Sequence, residues 1–146
     1  MTAIERLWAD DYRLPAEDAL HFADGRSYEV ALTPESPTGV TVLAPFDLDA
    51  RLAEDPSWVS SVDGLASLYL GSGGMLWGGE GSHGSEGFIA RLTADRRLVW
   101  ALFFADSNPF TRIRLSGNVA VFRSTSEFDI AVDIDDPRVP VSQGRR

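Results

Sequence analysis

The residues with the clearest chemical potential lie between Gly78 and Gly87, in a stretch that reads GGEGSHGSEG. Three side chains that could bind a metal or move a proton are spaced three residues apart in it: Glu80, His83 and Glu86. Imidazole and carboxylate groups are ligands of zinc and non-haem iron, and the same groups serve as acid and base in hydrolysis. A spacing of three on a glycine-rich loop does not fix ligand geometry, so a solvated turn is the competing interpretation.

The same stretch also contains a match to a dinucleotide-binding fingerprint. Gly79, Gly81 and Gly84 fit GxGxxG, and Asp106 lies where a ribose-binding acid would fall. This interpretation needs a helix beginning near Ser85, because free amides at a helix N-terminus hold the pyrophosphate. The chain that follows reads as hairpin strands without alternating helices. We therefore predict no nucleotide-binding fold and no cofactor.

A serine nucleophile is equally poorly supported. Ser82 and Ser85 flank His83, but the GxSxG pattern fails at both serines, and adjacent side chains seldom form a nucleophile and base pair. His21, the other histidine, lies between two apolar residues and is typical of a strand. The chain has no cysteine and no lysine, which excludes disulfides, thiolate sites, Schiff bases and the P-loop lysine. These observations favour a non-enzymatic protein.

Charge is concentrated in the N-terminal part of the chain. The net charge is −9, and residues 1–60 hold twelve acids against four arginines. Such a field repels phosphate backbones and anionic lipids, so we predict no nucleic-acid or membrane partner, whereas a basic protein would be attracted. The acids expected to steer it are Asp10, Asp11, Glu17 and Asp18. A generally acidic, solubilising surface is the simpler interpretation of charge alone.

Aromatic residues are abundant, with four tryptophans and eight phenylalanines. Most are expected in the core, but tryptophan carries disproportionate energy in protein interfaces. Trp77, beside the glycine-rich stretch, is the predicted exposed anchor for a partner.

Two short helices are predicted in the N-terminal half. Thr2 and Glu5 form a possible capping box for a helix that ends before Pro15, and Asp47 can cap a helix that Pro56 stops. One more turn after this second helix would carry Trp58 and Val59 toward the core.

The remainder reads as antiparallel strands. Asp24 and Gly25 suit a two-residue hairpin turn, and the short connections between later strands leave no room for crossover helices. Apolar alternation or β-branched runs predict further strands over residues 39–44, 66–70, 75–77, 88–93, 98–105, 111–115, 119–123 and 128–134. The run at 98–105 is continuously apolar, so we expect a central strand buried on both faces.

The expected fold is α+β and mainly antiparallel β: a single curved sheet, a sandwich or a partly closed barrel, with short helices in the N-terminal half. Residues 1–136 are predicted to form one globular domain, followed by a frayed polar tail over 137–146. The acidic N-terminus lacks signal-peptide character and no apolar run could span a bilayer, so a cytoplasmic location is expected. The arginine-only bias indicates a GC-rich, bacterial coding sequence.

The leading functional hypothesis is an intracellular bacterial protein that binds a basic partner, for example an immunity or antidote protein that blocks a toxin. The first alternative is a small-molecule-binding, metal-binding or hydrolytic β-domain with its site at the glycine-rich stretch. The second is a structural subunit of a homo-oligomer.

Overall fold

The structure, a computed structural model, describes residues 1–141. It contains two helices, α1 (Ala3–Ala9) and α2 (Leu48–Glu54), and both begin at the predicted caps. At α1 the Glu5 amide donates to Thr2 Oγ1 at 3.3 Å, while the Thr2 amide donates to Glu5 Oε1 at 2.8 Å. These two bonds satisfy amides that a helix start leaves without partners.

Most of the described chain is strand. The twelve strands are β1 (Arg13–Pro15), β2 (Ala19–Phe22), β3 (Ser27–Thr33), β4 (Gly39–Phe46), β5 (Val59–Ser61), β6 (Asp63–Tyr69), β7 (Met75–Glu80), β8 (Gly87–Leu92), β9 (Leu98–Phe104), β10 (Phe110–Ser116), β11 (Val119–Ser124) and β12 (Asp129–Asp133).

All pairings are antiparallel, and they form three sheets. Seven strands form the main sheet in the order β4-β3-β2-β9-β8-β7-β6, three form a second sheet in the order β10-β11-β12, and β1 pairs with β5. The predicted mainly antiparallel α+β fold is confirmed. Because β4 and β6 remain edges of the main sheet, the described chain is a curved, sandwich-like arrangement and not a closed barrel.

Strand β9 lies at the centre of the main sheet and is buried on both faces, as predicted. Trp100, Leu102 and Phe104 belong to one hydrophobic core, and Ala101 and Phe103 belong to the other. An apolar run fits this position because neither face of the strand meets water.

The second sheet covers the first of these cores. Phe110 and Phe122 pack inward from β10 and β11, opposite Gly78 of the main sheet. The Trp100 indole crosses this core and donates a hydrogen bond to the Ile134 carbonyl at 2.9 Å. The helices and the β1–β5 pair contribute to the other core, through residues that include Ile4, Trp8, Leu14 and Leu48.

Two local expectations are corrected, and one pair of strands was not predicted. Strand β7 continues to Glu80, so the first part of the glycine-rich stretch is strand and not a connection. Residues 59–61 form β5 instead of a helical turn, and Trp58 is 42% exposed instead of pointing into the core. The pairing of β1 with β5 was not predicted, because three-residue strands carry too little alternation to detect.

The C-terminal end of the described chain contacts the main sheet. Arg138 donates to the Tyr28 hydroxyl at 2.7 Å, and its guanidinium lies over the Phe22 ring. The rest of the predicted frayed tail, residues 142–146, lies outside the described residues. Within residues 1–141, no helix combines the length and the hydrophobicity needed to cross a membrane.

Glycines in the stretch serve close packing. A Cβ atom at Gly79 would lie 2.0 Å from the Asp63 carbonyl oxygen, whereas a Cβ at Gly84 would have no atom within 4 Å. We expect Gly79→Ala to lower the free energy of unfolding by at least about 2 kcal/mol, because backbone atoms of β6 must move away from β7. The melting temperature should fall by roughly 4–8 °C.

Gly84→Ala is the matched control and should change the free energy of unfolding by less than about 0.5 kcal/mol. Equal melting temperatures for the two variants, measured by circular dichroism, would contradict the close packing of β6 against Gly79.

Candidate functional site

The turn between β7 and β8 is anchored from within by a buried carboxylate. Glu86 accepts hydrogen bonds from the Ser60 hydroxyl at 2.7 Å and from the His83 amide at 3.1 Å. Gly81 permits this arrangement, since a Cβ there would lie 2.2 Å from Glu86 Oε1. The Ser82 hydroxyl accepts from the Ser61 amide at 3.0 Å and so joins the turn to β5. The turn is therefore tied to β5 by side-chain hydrogen bonds.

The predicted ligand set is only partly brought together. His83 Nδ1 lies 3.3 Å from Glu86 Oε2, but Glu80 is at the end of β7 and makes no side-chain bond with either. Within residues 1–141, no group of three His, Cys, Asp or Glu residues converges as a metal site would require. The His83 side chain is 80% exposed. The Ser82 hydroxyl is engaged with Ser60 and Ser61 and not with the imidazole.

Two of the four acids that were predicted to steer a partner instead form bonds within the fold. Glu17 Oε2 pairs with Arg51 Nη1 at 2.5 Å, and Asp18 Oδ1 accepts the Ala105 amide at 2.7 Å. Burial raises the pKa of Glu17 against the opposing effect of Arg51, and burial likewise raises the pKa of Asp18 despite the Ala105 bond. Both side chains are partly buried structural groups and are poorly placed to steer a partner.

The other two acids lie at the end of α1. Asp10 is exposed and pairs with Arg13, a surface ion pair that contributes little stability. Asp11 is exposed, and its carboxylate forms no hydrogen bond or ion pair with the described residues. Asp11 is therefore the acid most available to another molecule.

Asp11 borders a surface groove between α1 and the turn that joins β8 to β9. We call it the helix groove; it has a volume of about 470 Å³ and is lined by Met1, Glu5, Trp8, Ala9, Asp11, Tyr12, Asp95, Arg96, Arg97 and Leu98. This volume is in the range of small-ligand or side-chain pockets. The Trp8 indole donates to the Arg96 carbonyl at 3.1 Å and holds the two walls together.

Backbone strain is concentrated in this groove. Asp11, Tyr12 and Arg96 have φ values of 62°, 57° and 66°, so three of the five non-glycine residues with positive φ in the described chain line the same groove. Each such conformation costs about 1–3 kcal/mol, and residues in these conformations cluster at functional sites. Tyr12 is held in place by two bonds: its amide donates to the Trp8 carbonyl, and its carbonyl accepts from the Val62 amide.

Trp77 is not the exposed anchor that the sequence suggested. Its ring is partly buried, lies against the backbone of Gly64, and meets Trp8 and Tyr12 edge to face at 5.9 and 5.2 Å between ring centroids. The Arg96 guanidinium lies 5.7 Å from the centroid of the Trp77 ring. Trp77 therefore packs against two residues that line the helix groove, Trp8 and Tyr12, and the face of its ring already contacts the Arg96 guanidinium.

Three acidic side chains, Glu5, Asp11 and Asp95, and two arginines, Arg96 and Arg97, line the helix groove, so the acids outnumber the arginines by one. A guanidinium or ammonium group entering it would meet the free Asp11 carboxylate and aromatic rings, which attract cations through charge and through the ring quadrupole. Glu5 and Asp95 add negative charge, although Glu5 is bonded to Thr2 and Asp95 is paired with Arg97. Sequence reasoning found Asp11 from charge but missed Tyr12, whose left-handed backbone has no sequence signal.

The turn network predicts a stability effect for one serine. Ser60→Ala removes a donor to the buried Glu86 carboxylate and an acceptor for the Ser82 amide at 2.9 Å. We expect the free energy of unfolding to fall by about 1–3 kcal/mol in urea titrations. Ser85→Ala, at an exposed serine in the same turn, should leave the free energy of unfolding nearly unchanged. Equal effects of the two substitutions would contradict the role of Ser60 in anchoring the turn through Glu86.

His21 provides a second prediction, on pH dependence. His21 lies in strand β2, as expected from the sequence, and its imidazole is fully buried. Its Nδ1 lies 2.7 Å from Ser27 Oγ, and its buried Nε2 has no partner among the described residues. Burial lowers the pKa of His21 to about 3. Because the unfolded state binds the proton more tightly, stability is fully present above about pH 6.5 and is lost as pH falls toward about pH 3.

Between about pH 7.5 and pH 5, His21 should therefore contribute a loss of about 2 kcal/mol in the free energy of unfolding. The double variant His21→Phe/Ser27→Ala keeps all other titrating groups and should lack this component in urea titrations. An unchanged pH dependence in that variant would show that the native state accommodates a protonated His21.

Searches of protein-family models, of curated proteins and of solved structures found no match to this chain.

Proposed function

We propose that this protein is a non-enzymatic binding domain that holds a basic protein partner through the helix groove. An immunity or antidote protein that blocks a basic toxin inside a bacterial cell is one concrete form. The observation that carries the proposal is the Asp11 carboxylate, which has no partner within residues 1–141 and lines a strained, aromatic-walled groove.

Charge supports the proposed mode of association. Residues 1–60 carry eight more acids than arginines, and α1 and Asp11 belong to this segment. A long-range negative field accelerates the encounter with a basic surface, and a desolvated charge pair at the centre then slows dissociation. Asp11 would provide that central charge, with Asp10 contributing to steering.

The aromatic residues support a binding role for the same groove. Trp8, Tyr12 and Trp77 form a packed aromatic cluster, and rigid aromatic surfaces bind a partner at low conformational cost. Maintaining Asp11 and Tyr12 in left-handed conformations costs stability. Selection for a preformed groove would account for that cost.

The two alternatives have less support. A ligand or hydrolytic site at residues 78–87 would use Glu80, His83 and Glu86, but Glu80 lies apart and the carboxylate of Glu86 is occupied by Ser60. A structural homo-oligomer would require a self-complementary apolar patch, whereas five of the ten residues that line the helix groove are charged.

Neutralising the two exposed acids tests the proposal. Asp10→Asn/Asp11→Asn removes both charges while asparagine retains the left-handed conformation at position 11. Immobilised wild-type protein should retain a basic protein from a lysate of the source organism at low salt. The double variant should bind that protein at least about tenfold more weakly, because close charge pairs across interfaces contribute this much or more.

The matched control is Glu35→Gln/Glu54→Gln, which removes two exposed acids that do not line the groove. It should retain the partner as wild type does, and all three proteins should have similar melting temperatures. Retention that is insensitive to salt, or equal in all three proteins, would overturn the proposal.

A further inference from the structure

A second groove, with the opposite balance of charge, lies on the outer surface where β10 runs beside β6. It has a volume of about 620 Å³ and is lined by Leu65, Ala66, Ser67, Thr111, Arg112, Ile113, Arg114 and Arg123. We call it the arginine groove. Three of its lining residues are arginines and none is acidic, although the whole chain has a net charge of −9.

The strand register points the three arginines away from the core. Ile113 of β10 lies opposite Phe122 of β11, and both side chains pack toward the core that the second sheet covers. Side chains alternate between the two faces of a strand, so Arg112, Arg114 and Arg123 project from the outer face. Arg112 is the direct cross-strand neighbour of Arg123, and two like charges in this position repel each other. An anion bound between them would relieve this repulsion.

Within residues 1–141, one carboxylate lies within ion-pair distance of these arginines. Asp129 is 3.3 Å from Arg123 Nη1 and 3.9 Å from Arg114 Nη2. Arg112 is exposed and forms no ion pair with the described residues. Asp133, farther along β12, accepts a hydrogen bond from Asn118 instead. Three guanidinium groups and one carboxylate therefore leave an excess of two positive charges.

This excess matches the charge of a phosphate monoester. Such a group carries a charge of about −1.5 to −2 at pH 7 and presents three strong acceptor oxygens. A guanidinium offers donors in a fixed fork that fits phosphate oxygens in pairs. A carboxylate or a phosphodiester carries one negative charge and would leave half of the excess unbalanced.

The groove is larger than a phosphate group and has an apolar wall. Its volume is in the range of pockets that hold small ligands. Leu65, which is 47% exposed, and Ala66 form this wall on β6, and Ser67 and Thr111 add hydroxyl groups. These features favour a ligand that carries an apolar body beside its phosphate.

We infer that the arginine groove binds a phosphate monoester, with the phosphate held by Arg112, Arg114 and Arg123 and the apolar body against Leu65. A small phosphorylated molecule and a phosphoserine side chain share this chemistry. The inference does not depend on the helix groove, where acids outnumber arginines.

Isothermal titration calorimetry at low salt tests the site with two ligands of the same shape, phenyl phosphate and phenyl sulfate. At about pH 7.5 the phosphate carries two negative charges and the sulfate carries one. Wild-type protein should bind phenyl phosphate saturably and about fivefold more tightly than phenyl sulfate, because the additional charge lies close to the guanidinium groups. Absence of saturable binding, or equal affinity for the two ligands, would overturn the inference.

A double variant locates the binding. Arg112→Gln/Arg123→Gln should weaken the binding of phenyl phosphate by about tenfold or more, since it removes charged hydrogen-bond donors. The same variant should melt at the same or a higher temperature, because it removes a like-charged cross-strand pair. Unchanged affinity in this variant would place the ligand elsewhere on the protein.

The matched control is Arg6→Gln/Arg26→Gln, which removes two exposed arginines that line a different groove, beside Asp24, Asp47 and Asp49. It should bind phenyl phosphate as wild type does, and an equal loss of affinity would indicate a response to overall charge alone. Leu65→Ser should weaken the binding of phenyl phosphate and leave that of inorganic phosphate unchanged, because inorganic phosphate has no apolar body.

Two further ligands distinguish the sources of the phosphate. Tighter binding of a capped Gly-phosphoserine-Gly peptide than of phenyl phosphate would support a phosphorylated protein as the source, and weaker binding would support a small molecule. Displacement of phenyl phosphate by a thymidine oligonucleotide at an equal concentration of phosphate groups would overturn the inference, because it would show recognition of phosphodiesters.

Discussion

The burial of β9 on both faces is the constraint on which the rest of the structure depends. A strand with Trp100 and Phe104 on one side and Phe103 on the other must be covered twice, so the chain needs two separate layers. The β10–β11–β12 sheet covers one face, and α1, α2 and the β1–β5 pair cover the other. Each covering layer ends at a border with the main sheet, and the two candidate grooves lie at these borders.

This arrangement relates the charges of the surface to the architecture. The helix groove lies where α1 meets the β8–β9 turn, within the acidic N-terminal part of the chain. The arginine groove lies where β10 passes the edge of the main sheet, in the part of the chain where acids and arginines balance. The two grooves therefore differ in the balance of acidic and basic side chains that line them.

Most of the fold could be predicted from local chemistry. The Thr2 capping box and the apolar run of β9 each specify a structure within a few residues, and each is found as expected. The predicted β2–β3 hairpin is also present, but its turn is longer than the predicted two residues, and only Gly25 of the pair Asp24–Gly25 has a positive φ. The features that could not be predicted from the sequence involve long-range contacts. The partner of Glu86 is Ser60, twenty-six residues earlier, and the exposure of Trp58 depends on a three-residue strand pair. For the arginine groove, the alternation of Arg112, Ile113 and Arg114 was the available signal.

The pairing of β2 with the central strand also has a consequence for synthesis of the chain. Ala19 of β2 pairs with Phe103 of β9, so the N-terminal hairpin has no neighbour on that side until the ribosome has added the 84 residues after Ala19, up to Phe103 (103 − 19). At typical translation rates the apolar residues of β2 wait roughly 4–17 s for β9. Such non-local pairing also slows folding relative to helical proteins of similar size. The hairpin that begins the main sheet therefore gains its neighbour β9 late, and one edge of β2 stays unpaired during that interval.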